Sequence, residues 1–229
     1  MFDNFLKSWN KRKLKDDKYL YLFDKPKEHE YICLDCETTG LSPRKDEILS
    51  IGAVLIKENK ILMRKTLNIF VKPSKNVTAE SIKIHHIRPI DLENAVEPEV
   101  AIKELLDFIG NRPIVGYYIN FDIAMISKYT KKFIGIKLPN ESIEVSSMYY
   151  KTRKKTSEYE FIDLKFDTIL KELDIPELGK HDALNDAIMT SMMFLKLRHI
   201  TPAKTTFYTN WKENNFRIIS LFLASKSYI

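Results

Sequence analysis

The sequence predicts an α/β protein in which a mixed β-sheet is flanked by helices, and three observations support this fold class. The run 31–36 is short, apolar and rich in β-forming residues, and the similar runs 48–56 and 61–71 follow it. Consecutive strands joined by short turns predict an antiparallel meander. A further strand, 113–118, leads directly into a helix that starts near Ile119. Most later segments have the spacing of amphipathic helices, which completes an α/β pattern.

Length and composition narrow the class of protein further. The chain has 229 residues, 44% hydrophobic and 30% charged, which is long enough for one large domain with tails. No apolar run approaches the roughly 18 residues that would span a membrane, so we expect no membrane partner. The N-terminus lacks the apolar core of a secretion signal, which predicts a cytoplasmic location. The net charge of +6 permits an anionic partner without requiring one.

We expect the chain to divide into three parts. Residues 1–29 mix basic clusters with aromatic residues and form an N-terminal arm, residues 30–199 form the main domain, and residues 200–229 form a C-terminal tail. The lysines of the arm either contact nucleic acid or form a solvated face. The apolar residues expected to anchor the arm on the domain are Phe5, Trp9, Leu20 and Phe23.

The first predicted strand ends with two carboxylates. Side chains alternate between the faces of a strand, so Asp35 and Glu37 should point the same way, with Cα atoms roughly 6.5 Å apart. Ionised carboxylates are almost never buried unless they are paired or bind a metal ion. Either a cation lies between the two groups, or Glu37 is solvated beyond the strand and Asp35 meets a lysine.

Two more carboxylates and a histidine occur where helices begin. Asp122 falls in the first turn after strand 113–118, at the edge where open α/β sheets place their sites, although an acidic residue there could simply complement the helix dipole. Asp186 lies within a stripe of small residues on the last predicted helix, which should bring its carboxylate toward the sheet. His181, in the loop before that helix, is a candidate general base if the helix start meets the strand end.

The two cysteines, Cys33 and Cys36, are three residues apart on the first strand. Side chains at this spacing leave opposite faces of a strand, and the chain has no second cysteine pair that could complete a zinc site. We therefore expect two buried thiols and no redox or zinc pair.

Three motifs occur in the order and spacing typical of the DEDDh exonucleases, relatives of the proofreading epsilon subunit of bacterial DNA polymerase III. The likeness covers roughly residues 30–198 and implies a ribonuclease H-like fold for an exonuclease domain at 30–199. Two departures are His86, which replaces the glycine of the family's His-Gly-Ile loop, and Tyr117-Tyr118, where many members have His-Asn. The motifs are Asp35-Cys36-Glu37-Thr38-Thr39-Gly40-Leu41, Asn120-Phe121-Asp122 and His181-Asp182-Ala183-Leu184-Asn185-Asp186.

The resemblance implies a reaction and a role for each motif residue. Asp35, Glu37, Asp122 and Asp186 would hold two Mg²⁺ or Mn²⁺ ions, and His181 would take the proton from the attacking water. The implied activity is metal-dependent 3′→5′ exonucleolytic release of nucleoside monophosphates from DNA, in proofreading or repair. The residues implied to bind the terminal nucleotide are Thr38, Thr39, Leu41 and His85.

Two other functions stay open at this stage. One is a 3′→5′ exoribonuclease of the same fold, because the catalytic residues do not distinguish the two sugars, so the partner is a single-stranded DNA or RNA 3′ end. The other is a non-catalytic nucleic-acid-binding module, but the intact set of five catalytic residues argues against it.

A polymerase or a sliding clamp is a candidate protein partner. Residues 218–222 resemble a clamp-binding peptide with isoleucine in place of its glutamine, and an apolar helix docked on the domain is the alternative.

Overall fold

A computed structural model describes residues 9–154 and 161–200, where a five-stranded sheet has helices on both faces. The strands are β1 Glu30–Thr38, β2 Ile48–Lys57, β3 Lys60–Phe70, β4 Ile114–Gly116 and β5 Ser142–Glu144. The α-helices are α1 Ala79–His85, α2 Pro98–Ile109, α3 Ile119–Ile134, α4 Val145–Lys154, α5 Phe166–Glu172 and α6 Ala183–Ile200, and two 3₁₀-helices span Asp17–Phe23 and Pro89–Leu92.

The strand order β3-β2-β1-β4-β5 makes the sheet mixed, as predicted. β1 and β2 are antiparallel, as are β2 and β3, which confirms the meander. β4 runs parallel to β1, and β5 runs parallel to β4. Because parallel neighbours require a crossover connection, α1 and α2 lie in the chain between β3 and β4, and α3 lies between β4 and β5.

The sheet separates two buried clusters. One contains Ile32, Leu34 and Cys36 of β1 together with apolar residues of α2 and α3. The other contains Cys33 together with residues of α4, α5 and α6. Cys33 and Cys36 are therefore buried free thiols on opposite faces of β1, as the alternation of strand side chains predicts.

The helix boundaries agree with the sequence signals. Pro98 occupies the first turn of α2, and Gly110 follows its end with a φ of 56°, in the left-handed region that glycine adopts readily. The Thr78 hydroxyl caps α1 by accepting a hydrogen bond from Ser81 N. Within the described ranges, every helix is too short or too polar to cross a lipid bilayer.

The N-terminal arm packs on the domain through Phe23, as predicted, and also through two residues that were not predicted. Tyr19 and Leu22, three residues apart in the first 3₁₀-helix, are buried, because residues at this spacing share one face of a 3₁₀-helix. Trp9 is 52% exposed, so the prediction that it anchors the arm is wrong. Phe5 and the whole tail from residue 201, including 218–222, lie outside the described residues.

Gly52 marks the closest approach of α6 to the sheet. It lies on β2 directly opposite Asp35 of β1. A Cβ atom at Gly52 would lie 2.1 Å from the carbonyl carbon of Ala183 and 2.2 Å from Leu184 N. The missing side chain therefore lets the first turn of α6 touch the sheet beside Asp35, which is the close approach that the small-residue stripe of α6 predicts.

We expect Gly52→Ala to lower the free energy of unfolding by about 3 kcal/mol. Overpacking a core typically costs about 1–3 kcal/mol, and the obstacle here is helix backbone, which cannot rotate away as a side chain can. Chemical denaturation followed by circular dichroism measures the change. A variant with the wild-type midpoint and slope would contradict the close approach.

Candidate active site

Asp35 and Glu37 lie on one face of β1, as predicted. Strand alternation places them on the face that also carries Cys33, and α6 packs against this face. Glu37 is only 7% exposed, and Asp35 is partly buried. The alternative in which Glu37 is fully solvated beyond the strand is therefore wrong.

Asp122 reaches the same strand from α3, which belongs to the opposite face of the sheet. Its side chain is 4% exposed, and its Oδ1 accepts a hydrogen bond of 3.1 Å from Cys36 N. β4 pairs with β1 only at Ile32 and Cys33, so β4 has ended before Cys36 and the Asp122 carboxylate serves as the acceptor there. This bond connects Asp122 to the Asp35–Glu37 strand end, which a role in the helix dipole alone would not require.

The Cys36 thiol responds to the negative charge of this strand end. Burial raises the pKa of Cys36 well above its ordinary value, and the charges of Asp122, Asp35 and Glu37 raise that pKa further. The negative charges of three carboxylates therefore act on the same buried thiol. Like charges held this close in a partly buried setting favour binding of a cation.

The start of α6 holds His181 and Asp186 together. His181 N donates a hydrogen bond of 3.2 Å to Asp186 Oδ2, and the His181 backbone is left-handed, with a φ of 62°. Asp182 caps the helix, because its Oδ1 accepts a hydrogen bond of 2.9 Å from Asn185 N. The turn thus sets the position of the imidazole relative to the Asp186 carboxylate.

Glu37, His181 and Asp186 form the tightest group of possible ligands. One ligand atom from each lies within 4.8 Å of the other two. Among the described residues, Asp35 and Asp122 are outside this tight group but adjoin it, on the same strand and through the bond to Cys36. The five residues singled out in the sequence therefore meet at the C-terminal end of β1, and His181 is placed where it could act either as a base or as a ligand.

The loop after β1 holds the predicted nucleotide-binding residues Thr38, Thr39 and Leu41. The Thr38 hydroxyl donates to Gly40 O at 2.8 Å, and the Thr39 hydroxyl accepts from Glu47 N at 3.0 Å. Both threonine side chains thus brace the loop itself. Leu41 is 37% exposed and is the apolar side chain that the loop presents to solvent.

His85, the remaining predicted nucleotide-binding residue, is buried with an exposed fraction of 3%. Its Nδ1 accepts a hydrogen bond of 3.0 Å from Ile87 N, so the neutral ring carries its hydrogen on Nε2. Burial lowers the pKa of His85, which favours the neutral ring. Nε2 is itself buried, and no hydrogen-bond partner for it lies among the described residues.

Glu144 is a buried carboxylate that the sequence analysis missed. It ends β5, and its two oxygens accept hydrogen bonds from Tyr118 N, Ile119 N, Ser146 N and the Ser146 hydroxyl, at 2.9–3.1 Å. Tyr118 has a left-handed backbone, with a φ of 53°, directly before α3. Burial raises the pKa of Glu144, and the four hydrogen bonds oppose that rise. Glu144 thereby holds the turn at the start of α3, the helix that carries Asp122. The sequence feature that marks Glu144 is an acidic residue at the end of a short strand, directly before a helix.

We expect Glu144→Gln to lower the free energy of unfolding by about 1–3 kcal/mol, because the new amide NH₂ would face a main-chain donor and leave it unpaired. Urea denaturation measures the loss. Glu104→Gln, on the exposed side of α2, is the matched control and should leave the midpoint unchanged. Equal midpoints for the two variants would show that Glu144 does not hold the turn.

A mixed sheet with helices on both faces, and with carboxylates from three elements at one strand end, defines an exonuclease of the ribonuclease H-like fold. The RNase_T family model, described as exonuclease, matches residues 32–194. The chain therefore belongs to this exonuclease family, whose members hydrolyse phosphodiester bonds.

Two polymerase proteins are among the similar sequences. The chain is 32% identical over 166 residues to the PolC-type DNA polymerase III of Thermotoga petrophila, a match that covers 72% of this chain and 12% of that protein. It is 27% identical over 180 residues to the DNA polymerase III subunit epsilon of Aquifex aeolicus, covering 79% and 86% of the two chains. The chain thus spans only a small part of its PolC-type relatives and most of the epsilon subunit.

Solved structures confirm the fold. The zinc-bound complex of E. coli ExoI with single-stranded DNA superposes with a TM-score of 0.66 at 16% identity, covering 77% of this chain and 42% of that chain. Cell-death related nuclease 4 superposes with a TM-score of 0.62 at 18% identity, covering 75% and 64%. At these identities the likeness concerns the fold, which is the ribonuclease H-like exonuclease fold predicted from the motifs.

Proposed function

We propose that the protein is a metal-dependent 3′→5′ exonuclease that releases nucleoside monophosphates from single-stranded DNA, in proofreading or repair. The observation that carries this proposal is the convergence of Asp35, Glu37, Asp122, His181 and Asp186 on one end of β1. The related PolC-type polymerase and epsilon subunit support DNA as the substrate. The solved complex of ExoI with single-stranded DNA supports a single-stranded end.

The donors at this site fit Mg²⁺ or Mn²⁺. Carboxylate oxygens are the ligands that these hard cations prefer. Glu37 and Asp122 are 7% and 4% exposed, and their like charges near Asp35 are costly unless a cation offsets them. Asp35, Glu37, Asp122 and Asp186 would hold two ions, as the family resemblance implies. When bound, such ions stabilise the charge on the attacking and leaving oxygens of a phosphodiester.

His181 is the group that accepts the proton of the attacking water. Its left-handed turn and its main-chain bond to Asp186 hold the imidazole beside the carboxylates. A neutral imidazole has a free nitrogen lone pair that can take a proton near neutral pH. Asp186, which positions the His181 ring, is therefore itself a member of the carboxylate cluster.

Leu41 and His85 receive the 3′-terminal nucleotide. The exposed Leu41 side chain offers an apolar surface for the base, and His85 lines the pocket with a buried Nε2–H that has no partner among the described residues. Thr38 and Thr39 contribute by keeping the loop of Leu41 in place.

The test is degradation of 5′-labelled single strands of DNA and RNA, assayed side by side with Mg²⁺, Mn²⁺ or a chelator. We expect a ladder that shortens from the 3′ end of DNA, release of mononucleotides, complete loss with the chelator, and recovery when metal is returned. Faster degradation of RNA would make the protein an exoribonuclease. Tight binding of both strands without metal-dependent cleavage would make it a binding module.

A further inference from the structure

His86 occupies a backbone position that ordinarily selects glycine. It follows α1 with φ 57° and ψ 6°, in the left-handed region. A residue with a Cβ atom pays a free-energy cost there, and such strained residues cluster at functional sites. The corresponding loop of the resembled family has glycine at this position. This chain therefore accepts a backbone cost to place an imidazole there.

The His86 imidazole lies at the mouth of the proposed active site. Its ring centroid is 6.3 Å from that of His181, and the two planes are inclined at 68°. His86 is exposed, whereas its neighbour His85 is only 3% exposed. The two adjacent histidines thus face different surroundings, and His86 is the one beside His181.

Helix capping does not explain the choice of histidine. His86 ends α1 through its main chain, whose N–H donates a hydrogen bond of 2.8 Å to Ile82 O. A glycine would make the same bond without the backbone cost. The explanation for the histidine must therefore lie in its ring.

A nucleic-acid strand that enters this site meets a carboxylate cluster that repels its phosphates. Hydrogen-bond donors around the cluster must offset that repulsion, and an imidazole N–H can donate to a phosphate oxygen. Because His181 acts at the scissile phosphate in the proposed function, an imidazole whose ring centroid lies 6.3 Å from that of His181 is close enough to donate to that phosphate or the next one. We propose that His86 is a substrate-positioning residue that donates a hydrogen bond to one of the last two phosphates of the strand. This inference rests on the proposed function.

His86→Gly is a clean test because glycine suits the left-handed backbone and keeps the cap of α1. Under single-turnover conditions with saturating Mn²⁺, we expect the apparent Kd for a single-stranded DNA oligonucleotide to rise by about tenfold, the effect of losing one hydrogen bond to a charged group. The limiting cleavage rate should stay at the wild-type value, and the thermal midpoint should not fall. His86→Asn, which tolerates the same backbone and carries a shorter donor, should give an intermediate Kd.

Neutral methylphosphonate linkages identify the partner of His86. One oligonucleotide carries the substitution at the 3′-terminal linkage and a second carries it at the preceding linkage, and binding is followed by fluorescence anisotropy. Wild-type protein should lose affinity at one of the two positions, and His86→Gly should show no further loss there. Equal losses for both proteins at both positions would overturn the inference.

The remaining outcomes also decide the question. An unchanged Kd in His86→Gly, or an unchanged Kd with a slower cleavage step, overturns a positioning role at the phosphates. Failure of the wild-type protein to cleave any strand with metal would instead overturn the proposed function. Cleavage by the wild type with an unchanged Kd in His86→Gly would overturn this inference alone.

Discussion

Asp186→Asn should lower the rate of metal-dependent nucleotide release by about a thousandfold or more, and Asp35→Asn should do the same. Bound divalent ions contribute several kcal/mol to transition-state stabilisation, and about 1.4 kcal/mol corresponds to a tenfold change in rate. Asparagine keeps the shape of the side chain and can still accept the His181 N–H bond at position 186. Both variants should therefore remain folded, and the rate is measured with purified protein at saturating Mg²⁺.

Asp182→Asn is the matched control for Asp186→Asn. Asp182 lies four residues earlier, is exposed, and caps α6 through Asn185 N. Asparagine caps helices as well as aspartate does, so this variant should keep the wild-type rate. Wild-type turnover by Asp186→Asn under the same conditions would end the assignment of a metal site.

His181→Asn should lower the limiting rate by roughly 10²- to 10⁴-fold, the usual contribution of a general base. Asparagine is preferred to alanine because the backbone at 181 is left-handed, with a φ of 62°, and asparagine tolerates that region. If His181 is the base, calorimetric titration should show wild-type affinity for Mn²⁺. The experiment thus measures rate and metal binding on the same variant.

Glu37, His181 and Asp186 lie close enough together to bind one metal ion, so the alternative role of His181 as a metal ligand also gives a definite prediction. If His181 is a ligand, His181→Asn should bind Mn²⁺ at least about tenfold more weakly, and excess metal should restore much of the rate. That result would overturn the base assignment and make His181 part of the ion cage.

Short-range geometry explains which features could be predicted from the sequence. The strand period of two places Asp35 and Glu37 on one face and separates Cys33 from Cys36, whatever the rest of the fold. Helical spacing likewise places Asp186 on the small-residue face of α6. These relations depend only on residues that are close in the chain, so the local sequence pattern is sufficient to predict them.

The features that were missed depend on contacts between distant segments. Glu144 acts on Tyr118 N, which lies 26 positions earlier, so an acidic residue at the end of a short strand does not by itself reveal that contact. Gly52 is critical only because the backbone of Ala183 passes over it. The prediction that Trp9 anchors the arm rests on an amphipathic pattern, yet its side chain is 52% exposed with the ring centroid 3.3 Å from Lys13 Nζ, and the buried anchors Tyr19 and Leu22 lie further along the chain.

The position of α6 in the chain has a consequence for synthesis of the protein. Asp186 lies 151 positions after Asp35, on the final described helix. Until that helix has folded over Gly52, the nascent chain lacks both the Asp186 carboxylate and the His181 imidazole. A nascent chain in which α6 has not yet folded therefore lacks part of the proposed catalytic set, and exonuclease activity can start only once α6 is in place.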